Sequence, residues 1–324
     1  MSTGDWLPTA SQAMLRRRAA LLSRTRQFFA DRGVLEVDTP LVTGTPVTDV
    51  HIHSARVLFD AAEGTSLTYF LHTSPEYAMK RLLAAGACDI YQICHVVRGL
   101  ERGRLHNAEF TLVEWYRRGI SLDALMEEVD ALVRDLLAPA GAHRRTERIG
   151  YREAFLRELA IDPFAAPLDT LKQAAREAGL AGPIASRDEL LEFLMGTRIG
   201  PRLGHGTLTF VHGYPASQAA LARLDPADPR TAERFELYGD GVELANGFHE
   251  LSDPLEQRAR FEADLAERRR LGLRAQGPDE RLLTALEAGL PDCCGVALGF
   301  DRTLMLAAGA ARIDDVLTFP IERA

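Results

Sequence analysis

The sequence has no hydrophobic run long enough to cross a membrane, and residues 1–18 contain no apolar segment typical of a secretion signal. We therefore expect a cytoplasmic protein with no membrane partner. Cysteine is scarce, and its spacing fits neither a zinc site nor a disulfide framework. This spacing indicates incidental thiols in a reducing compartment, at Cys88, Cys94, Cys293 and Cys294.

An excess of positive charge is also missing. The net charge of -8 argues against a broad nucleic-acid-binding surface but permits a local basic patch. The glycine-rich stretch at 196–206 lacks the Lys-Ser/Thr pair of a phosphate-binding P-loop. No repeat, low-complexity tract or linker marks a domain boundary. We therefore predict one domain over residues 1–324, with a small helical insertion at about residues 140–206.

Apolar periodicity and capping residues predict the secondary structure. Helices are expected at residues 12–32, 75–85 and 279–289, after the caps Ser121 and Asp253, and after Asp301 at the end of the chain. Extended segments are expected at residues 33–42, 89–98, 109–117 and 294–300.

The segment FELYGDGVELANGFHE at residues 235–250 predicts a β-hairpin, because Gly-Asp-Gly is a tight-turn signal. With Gly239 and Asp240 as the loop, Glu236 lies directly opposite Glu243. Like charges opposite each other destabilise a sheet, which favours a cation between them. A solvated hairpin in another register is the alternative, and the hairpin alone leaves both open.

The strand at 109–117 alternates with period two, so Phe110, Leu112, Glu114 and Tyr116 share one face. This face can form the floor of a ligand site, or belong to a half-buried strand with one stray acid. The preceding loop after Arg98 is basic, and guanidinium groups bind phosphate in a fork geometry. Such loops are often only solvated.

A third polar feature lies near the end of the chain. The apolar strand GVALGFDR at residues 295–302 brings Arg302 to the start of a helix. Glycine in such a strand permits close approach of a ligand to the backbone.

In this order, the segments resemble the catalytic core of class II aminoacyl-tRNA synthetases. Residues 12–42, with Pro40, are similar to motif 1, residues 96–117 to motif 2 and residues 295–310 to motif 3. TSPEY at 73–77, HNAEF at 106–110 and the glutamate-rich hairpin resemble the lysyl-tRNA synthetases in particular. The resemblance implies an α+β fold, with an antiparallel sheet flanked by helices and a homodimer formed through motif 1.

Motif 1 begins so near the N-terminus that we expect no anticodon-binding domain. The chain is therefore similar to a truncated lysyl-tRNA synthetase-like family, the elongation factor P (R)-β-lysine ligases. VTDVH, TSPEY, GVELANGFHEL and PDCCGVALG carry this resemblance. Ala297 stands where that family has alanine and the tRNA enzymes have glycine, a change linked to accepting a β-amino acid.

The resemblance implies roles for individual residues. Arg98 and Arg302 would be catalytic, with Arg98 on the ATP α-phosphate and adenine between Phe110 and Arg302. ATP would contact Arg98, Gly99, Leu100, Glu101, His106, Asn107, Phe110, Glu243, Leu244, Gly299 and Arg302. Mg²⁺ would bind Glu236 and Glu243.

The amino-acid substrate would contact Ser74, Pro75, Glu76, Tyr116, Asn246, Glu250 and Ala297. Glu250, Tyr116 and Asn246 would bind its side-chain ammonium, and Ser74 and Glu76 its other amine. A buried ammonium must be paired, so two cationic ends need two acidic partners.

The sequence departs from the family in motif 2. The Arg-x-Glu pattern reads Arg98-Gly99-Leu100, with Leu100 at the glutamate position. We hypothesise that Glu101 compensates, because Gly99 makes the local backbone pliable.

The resemblance implies that ATP activates (R)-β-lysine, or lysine less well, as an aminoacyl-adenylate. The acyl group would then pass to a lysine ε-amine of elongation factor P, without tRNA. Three alternatives are a free-standing tRNA synthetase, an amidating enzyme acting on aspartate, and a non-catalytic paralogue, which Leu100 favours.

Overall fold

The computed structural model describes residues 6–60, 66–99, 101–138, 145–182 and 186–324. Every predicted helix is confirmed, and Ser121 and Asp253 cap their helices through side-chain hydrogen bonds. The helices in these ranges are α1 (Gln12–Ala30), α2 (Glu76–Ala84), α3 (Leu122–Leu137), α4 (Tyr151–Leu159), α5 (Leu168–Glu177), α6 (Arg187–Leu194), α7 (Pro254–Arg270), α8 (Glu280–Gly289) and α9 (Phe300–Ala308).

The strands form two sheets. They are β1 (Leu35–Glu36), β2 (Val42–Thr43), β3 (Arg56–Asp60), β4 (Ser66–Leu71), β5 (Ile90–Val97), β6 (Glu109–Arg118), β7 (Arg145–Gly150), β8 (Thr207–Pro215), β9 (Thr231–Gly239), β10 (Val242–His249) and β11 (Cys293–Gly299). Eight of them make one sheet in the order β1-β5-β6-β11-β10-β9-β8-β7, and β2-β4-β3 make a small one. Only the outer pairs β1·β5 and β7·β8 of the large sheet are parallel. The predicted α+β fold, an antiparallel sheet flanked by helices, is confirmed.

The side chains of β6 point alternately to the two faces of the large sheet, and this determines which face is polar. Val113 and Trp115 are buried in the core formed with α1, α3 and α9. Glu114 and Tyr116 point to the opposite face, where Tyr116 packs with residues of α2, α7 and α8. One face is thus closed by core helices, and the other holds polar side chains.

The segment at residues 140–206 contains more than short helices. Its described part begins with β7, which pairs with β8 at the edge of the main sheet. Its sequence, RTERIG, has one apolar side chain and no alternation, so this strand was not predicted. Helices α4, α5 and α6 follow, packed around a separate cluster that includes Phe155, Leu171 and Leu190.

The hairpin of β9 and β10 has a different register from the predicted one. Gly239 pairs with Val242, so the loop is Asp240-Gly241. Both loop residues have positive φ, 47° and 75°, as a type I′ turn requires. Their backbone N–H groups also donate to residues 203 and 204, which fixes the tip.

The predicted pairing of Glu236 with Glu243 was therefore wrong. Glu243 lies opposite Tyr238, and the register shifts at Leu244 so that Asn246 lies opposite Glu236. A one-residue bulge of this kind changes which side chains share a face. Glu236, Glu243 and Asn246 still lie on one face, with Asn246 directly opposite Glu236 and Glu243 diagonal to Glu236.

No helix in the described ranges is both long and apolar enough to span a lipid bilayer.

Candidate functional site

Two adjoining cavities lie on the polar face of the large sheet. The larger has a volume of about 1130 Å³ and is lined by β6, β10, β11, α2 and residues 40–54. It brings together the predicted substrate residues Ser74, Pro75, Glu76, Tyr116, Asn246, Glu250 and Ala297. The smaller, of about 110 Å³, is lined by Arg98, Glu101, His106, Asn107, Phe110, Glu243, Leu244, Gly299 and Arg302.

Three glutamates from different elements meet in the larger cavity. Glu76 begins α2, Glu114 lies on β6 and Glu250 follows β10. Ser74 Oγ donates to Glu114 Oε2 at 2.7 Å, and Tyr116 OH donates to Glu114 Oε1 at 2.7 Å. Glu114, which the sequence places with Tyr116 on a candidate ligand face, therefore orients both Ser74 and Tyr116.

A buried lysine joins the other two glutamates. Lys80 Nζ lies 2.7 Å from Glu76 Oε1 and 2.5 Å from Glu250 Oε2. Its side chain is 1% exposed. The two carboxylates predicted to bind the substrate amines thus already share one internal cation.

Burial sets the protonation of this cluster. It raises the pKa of Glu114 to about 7, with Glu76 adding to the effect. It also raises the pKa of Glu250 to about 8, although Lys80 acts in the opposite direction. Removing a carboxylate from water disfavours its charged form unless a cation compensates. The cluster therefore favours either protons or a cationic ligand.

Gly295 leaves the space in which Glu250 and Tyr116 meet. It pairs with Tyr116 across β6 and β11. A Cβ at this position would overlap the Glu250 carboxylate and the Tyr116 ring. Glycine is therefore required here by close packing rather than by its φ angle.

Gly295→Ala is expected to weaken binding of the amino-acid substrate by at least about tenfold, because overpacking of ~1–3 kcal/mol must displace Glu250 or Tyr116. The measurement is KM for the amino acid with KM for ATP alongside. Gly150→Ala is the matched control, since its Cβ would meet nothing within 4 Å. Equal KM values for the two variants would contradict this role of Gly295.

The smaller cavity has the chemistry of a nucleotide site. The Arg98 guanidinium carbon lies 5.2 Å from the centre of the Phe110 ring, and Arg98 Nε donates to Thr73 O at 3.2 Å. Arg302 Nη1 donates to Glu243 O at 3.0 Å, and its Nε donates to Leu105 O at 3.3 Å. Both cations are thus oriented by backbone carbonyls, and Arg98 lies beside an aromatic face.

His106 and Asn107 both form hydrogen bonds with other residues of the chain. Burial and the charges of Arg302 and Arg98 lower the pKa of His106 to about 4, so its ring is neutral at pH 7. Arg302 Nη2 donates to its Nε2 at 2.7 Å. Asn107 donates to Glu109 O and accepts from Ile321 N. Asn107 therefore orders the motif 2 loop, and its contact with a nucleotide stays a prediction.

A buried arginine organises the hairpin face. Arg234 donates to Asn246 Oδ1 at 3.0 Å and to Glu236 Oε1 at 2.7 Å, and its guanidinium lies 4.5 Å from the centre of the Tyr214 ring. Tyr238 OH donates to the other oxygen of Glu236 at 2.6 Å. Burial, and then the charge of Glu243, raise the pKa of Glu236.

These residues fit a magnesium ion only together with phosphate. In the part of the chain that the structure describes, no group of three or more His, Cys, Asp or Glu could hold a metal. Both Glu236 oxygens accept protein hydrogen bonds, whereas the Glu243 side chain is 40% exposed and only 3.4 Å from Arg302 Nη1. One or two carboxylates completed by phosphate oxygens and water are the usual magnesium site at a nucleotide.

The departure from the motif 2 pattern lies at residues 98–101. Leu100 lies outside the described residues. Gly99 donates its N–H to His53 O at 2.7 Å, and a Cβ there would be 3.1 Å from that oxygen. Glu101 is half-buried and lines the smaller cavity.

Sequence reasoning missed Lys80 and Arg234, and it gave Glu114 a place on a candidate ligand-site face without a specific role. Lys80 stands four residues after Glu76, a spacing that signals an ion pair on a helix. Glu114 shares its strand face with Tyr116, and Arg234 precedes Glu236 by two residues on β9. Period-two spacing placed Glu114 on a candidate ligand face and could have placed Arg234 beside Glu236. Their other partners, Ser74 and Asn246, come from other segments of the chain.

Comparison with known proteins is consistent with this geometry. The family described as tRNA synthetases class II (D, K and N) matches residues 4–323. A Vibrio cholerae elongation factor P–(R)-β-lysine ligase is 51% identical over 330 residues, covering 100% of both chains. Relatives of the same name from Proteus mirabilis and Salmonella arizonae are 48% and 46% identical, covering 99% of this chain and 98% and 99% of their own. The chain belongs to the class II tRNA synthetase family, and within it to the elongation factor P–(R)-β-lysine ligases.

Proposed function

We propose that this protein uses ATP to activate (R)-β-lysine, or α-lysine less well, as an aminoacyl-adenylate. It then transfers the acyl group to the ε-amine of a lysine on elongation factor P. The observation that carries the proposal is the pair of adjoining cavities, one with three glutamates for a diamine and the other with two arginines beside an aromatic ring. The relatives' shared name supplies the acceptor protein.

In the first step the substrate carboxylate attacks the α-phosphate of ATP and pyrophosphate leaves. Arg98 stabilises the negative charge that develops on the α-phosphate, and Arg302 binds the nucleotide on the other side of adenine from Phe110. Because both guanidinium groups are already oriented, little reorganisation is needed as the charge develops. Glu76, Glu250, Tyr116 and Asn246 hold the diamine, and Ala297 lines the same cavity at the position linked to acceptance of a β-amino acid.

In the second step the acceptor lysine attacks the acyl carbon and AMP leaves. The reaction then depends on positioning and charge stabilisation, with no covalent enzyme intermediate. Glu243, with Glu236 beside it, would hold Mg²⁺ together with ATP. When bound, that ion neutralises phosphate charge.

We also propose a cytoplasmic homodimer formed through motif 1, with elongation factor P rather than tRNA as the acceptor. Leu35 and Leu41 in this segment are 54% and 41% exposed. Apolar side chains are stabilised by burial, and a second copy of the chain would bury them.

Glu101→Ala is expected to raise KM for ATP or lower kcat sharply, because Glu101 would take the place of the motif 2 glutamate. The measurement is the ATP dependence of adenylate formation. Glu109→Ala is the matched control, since Glu109 lies in the same region but pairs with His95 at 2.6 Å on the exposed surface. Unchanged ATP kinetics in Glu101→Ala would sink the compensation hypothesis.

The experiment that tests the proposed activation step is pyrophosphate exchange with (R)-β-lysine, α-lysine and aspartate. We expect exchange with the two lysines, stronger with the β-isomer, and none with aspartate. Exchange with aspartate alone would favour an amidating enzyme. Absence of exchange with all three would favour a non-catalytic paralogue and refute the proposal.

A further inference from the structure

Lys80 is an unusual residue for its surroundings. The chain contains 38 lysines and arginines, of which only Lys80 and Lys172 are lysines. Lys80 is 1% exposed and projects from α2 beside an apolar cluster that includes Phe261 and Leu282. A buried ammonium costs several kcal/mol unless it is paired, so a lysine here must have partners.

Its partners are the two carboxylates that the proposed function assigns to the substrate. Lys80 Nζ lies within 2.7 Å of one oxygen of Glu76 and one oxygen of Glu250. The other oxygen of Glu250, Oε1, is buried and has no hydrogen-bond partner among the described residues. It lies beside Gly295, which lines the larger cavity. Lys80 thus engages one oxygen of Glu250, and the second has no partner among the described residues.

The charges in this cluster are matched to a doubly charged ligand. Glu76, Glu114 and Glu250 carry three negative charges when ionised, and Lys80 carries one positive charge. Two negative charges remain, equal to the number of ammonium groups on a diamino acid. Without the ligand, the buried site must lower this excess charge by taking up protons.

We propose that Lys80 is a positioning residue that holds the carboxylates of Glu76 and Glu250 at the larger cavity and limits how many protons a diamino acid must displace. This inference rests on the proposed function, because it assumes that the diamine binds in the larger cavity. An ammonium suits the role because it is a compact charge that can be shared between two carboxylates, whereas a guanidinium is larger and planar.

The groups facing Lys80 come from four elements. Glu76 lies on α2, and Glu250 follows β10, whose Phe248 ring centre is 5.5 Å from Nζ. Glu114 and Tyr116 lie on β6, and their pKa values are raised, mainly by burial. On β11, burial holds the pKa of the Cys293 thiol above its usual range, so it stays uncharged. Of these groups, Glu250 and Glu114, with pKa values of about 8 and about 7, titrate near neutral pH.

The sign of the pH dependence follows from these values. The doubly charged diamine binds the ionised carboxylates, so affinity should rise with pH until Glu250 is ionised near pH 8. Above that pH the diamine begins to lose its own protons, and the rise should end. At pH 7 the free protein should release about one proton on binding. At pH 9 its carboxylates should release almost none, and the diamine should take up the protons that its amines have lost in solution.

The test is calorimetry of (R)-β-lysine binding to the full chain, in buffers of different ionisation enthalpy, at pH 7 and pH 9. At pH 7 we expect Lys80→Met to release more protons on binding than the wild type. Its rise of affinity with pH should occur about one pH unit or more higher than in the wild type. Affinity at pH 7 should fall at least about tenfold, with a smaller loss at pH 9. Lys80→Arg keeps the charge and should keep the proton count even if affinity falls.

Lys172→Met is the matched control, because Lys172 lies on α5 with a side chain that is 33% exposed. If Lys80→Met loses affinity equally at both pH values with an unchanged proton count, Lys80 has only a packing role and the inference is overturned. If Lys80→Met does not fold, Lys80→Gln takes its place, and the number of protons that the wild type releases is tested by itself. A wild type that releases no proton at pH 7 overturns the inference. A wild type that activates no diamino acid in pyrophosphate exchange refutes the proposed function instead.

Discussion

Arg98→Ala is expected to lower kcat for adenylate formation by about 10²–10³-fold, with a smaller change in KM for the amino acid. Loss of one oriented donor at a site of developing charge typically has an effect of this size. Arg98 lies at the junction of the two cavities, where its Nε donates to Thr73 O. Its cation is therefore pre-oriented between the two cavities. Single-turnover formation of the adenylate measures the effect.

Arg118→Ala provides the comparison for Arg98→Ala. Arg118 ends β6 and is exposed, with its nearest carboxylate, Asp89, 3.9 Å away. Its loss should leave kcat within about twofold, because surface ion pairs contribute little. If Arg98→Ala retained most of its kcat, charge stabilisation at the α-phosphate would have to come from elsewhere.

Glu250→Gln is expected to raise KM for (R)-β-lysine by about two orders of magnitude while KM for ATP stays nearly constant. Removing one partner of a buried charged pair costs about 2–5 kcal/mol, much of it from the charge left unpaired. The variant should also lose the rise in affinity that the wild type shows as pH approaches about 8, the pKa of Glu250. Initial rates across pH 6.5–9 would measure both effects.

Glu280→Gln separates this effect from a general change of charge. Glu280 pairs with Arg258 on the surface, at 2.7 Å, and its side chain is 62% exposed. We expect no change in KM or in the pH profile. A Glu250→Gln enzyme with normal KM for the diamine would show that another group binds the amine.

Much of the fold follows from local patterns in the sequence. Helices α3 and α7 begin at the predicted caps Ser121 and Asp253, because a side-chain oxygen there satisfies free N–H groups of the first turn. Strand β6 follows from its period-two alternation. Strand β7 does not, because it is polar and is ordered by pairing with β8.

The sequence predicted most of the residues that line the two cavities but not all of the contacts among them. The predicted substrate residues line one cavity, and most of the predicted nucleotide residues line the other. The direct pairing of Glu236 with Glu243 was wrong because residues 203–204 fix the turn at Asp240-Gly241 and a bulge follows at Leu244. A bulge of one residue has no local sequence signal strong enough to place it.

Lys80 shows a second reason why a sequence does not reveal a whole site. Its spacing from Glu76 is visible along α2, but Glu250 is far away in the chain and reaches Lys80 only through the sheet. Charge balance within a buried cluster depends on which elements meet. It can therefore be counted only after the fold is known.

The central claim is that the activated lysine is delivered to elongation factor P. The most direct measurement is the intact mass of elongation factor P after incubation with this enzyme, ATP and (R)-β-lysine, with a lysine-accepting tRNA as the competing acceptor. We predict a mass gain of one lysyl residue on elongation factor P, dependent on ATP, with the tRNA left uncharged. Charged tRNA together with unmodified elongation factor P would contradict the account.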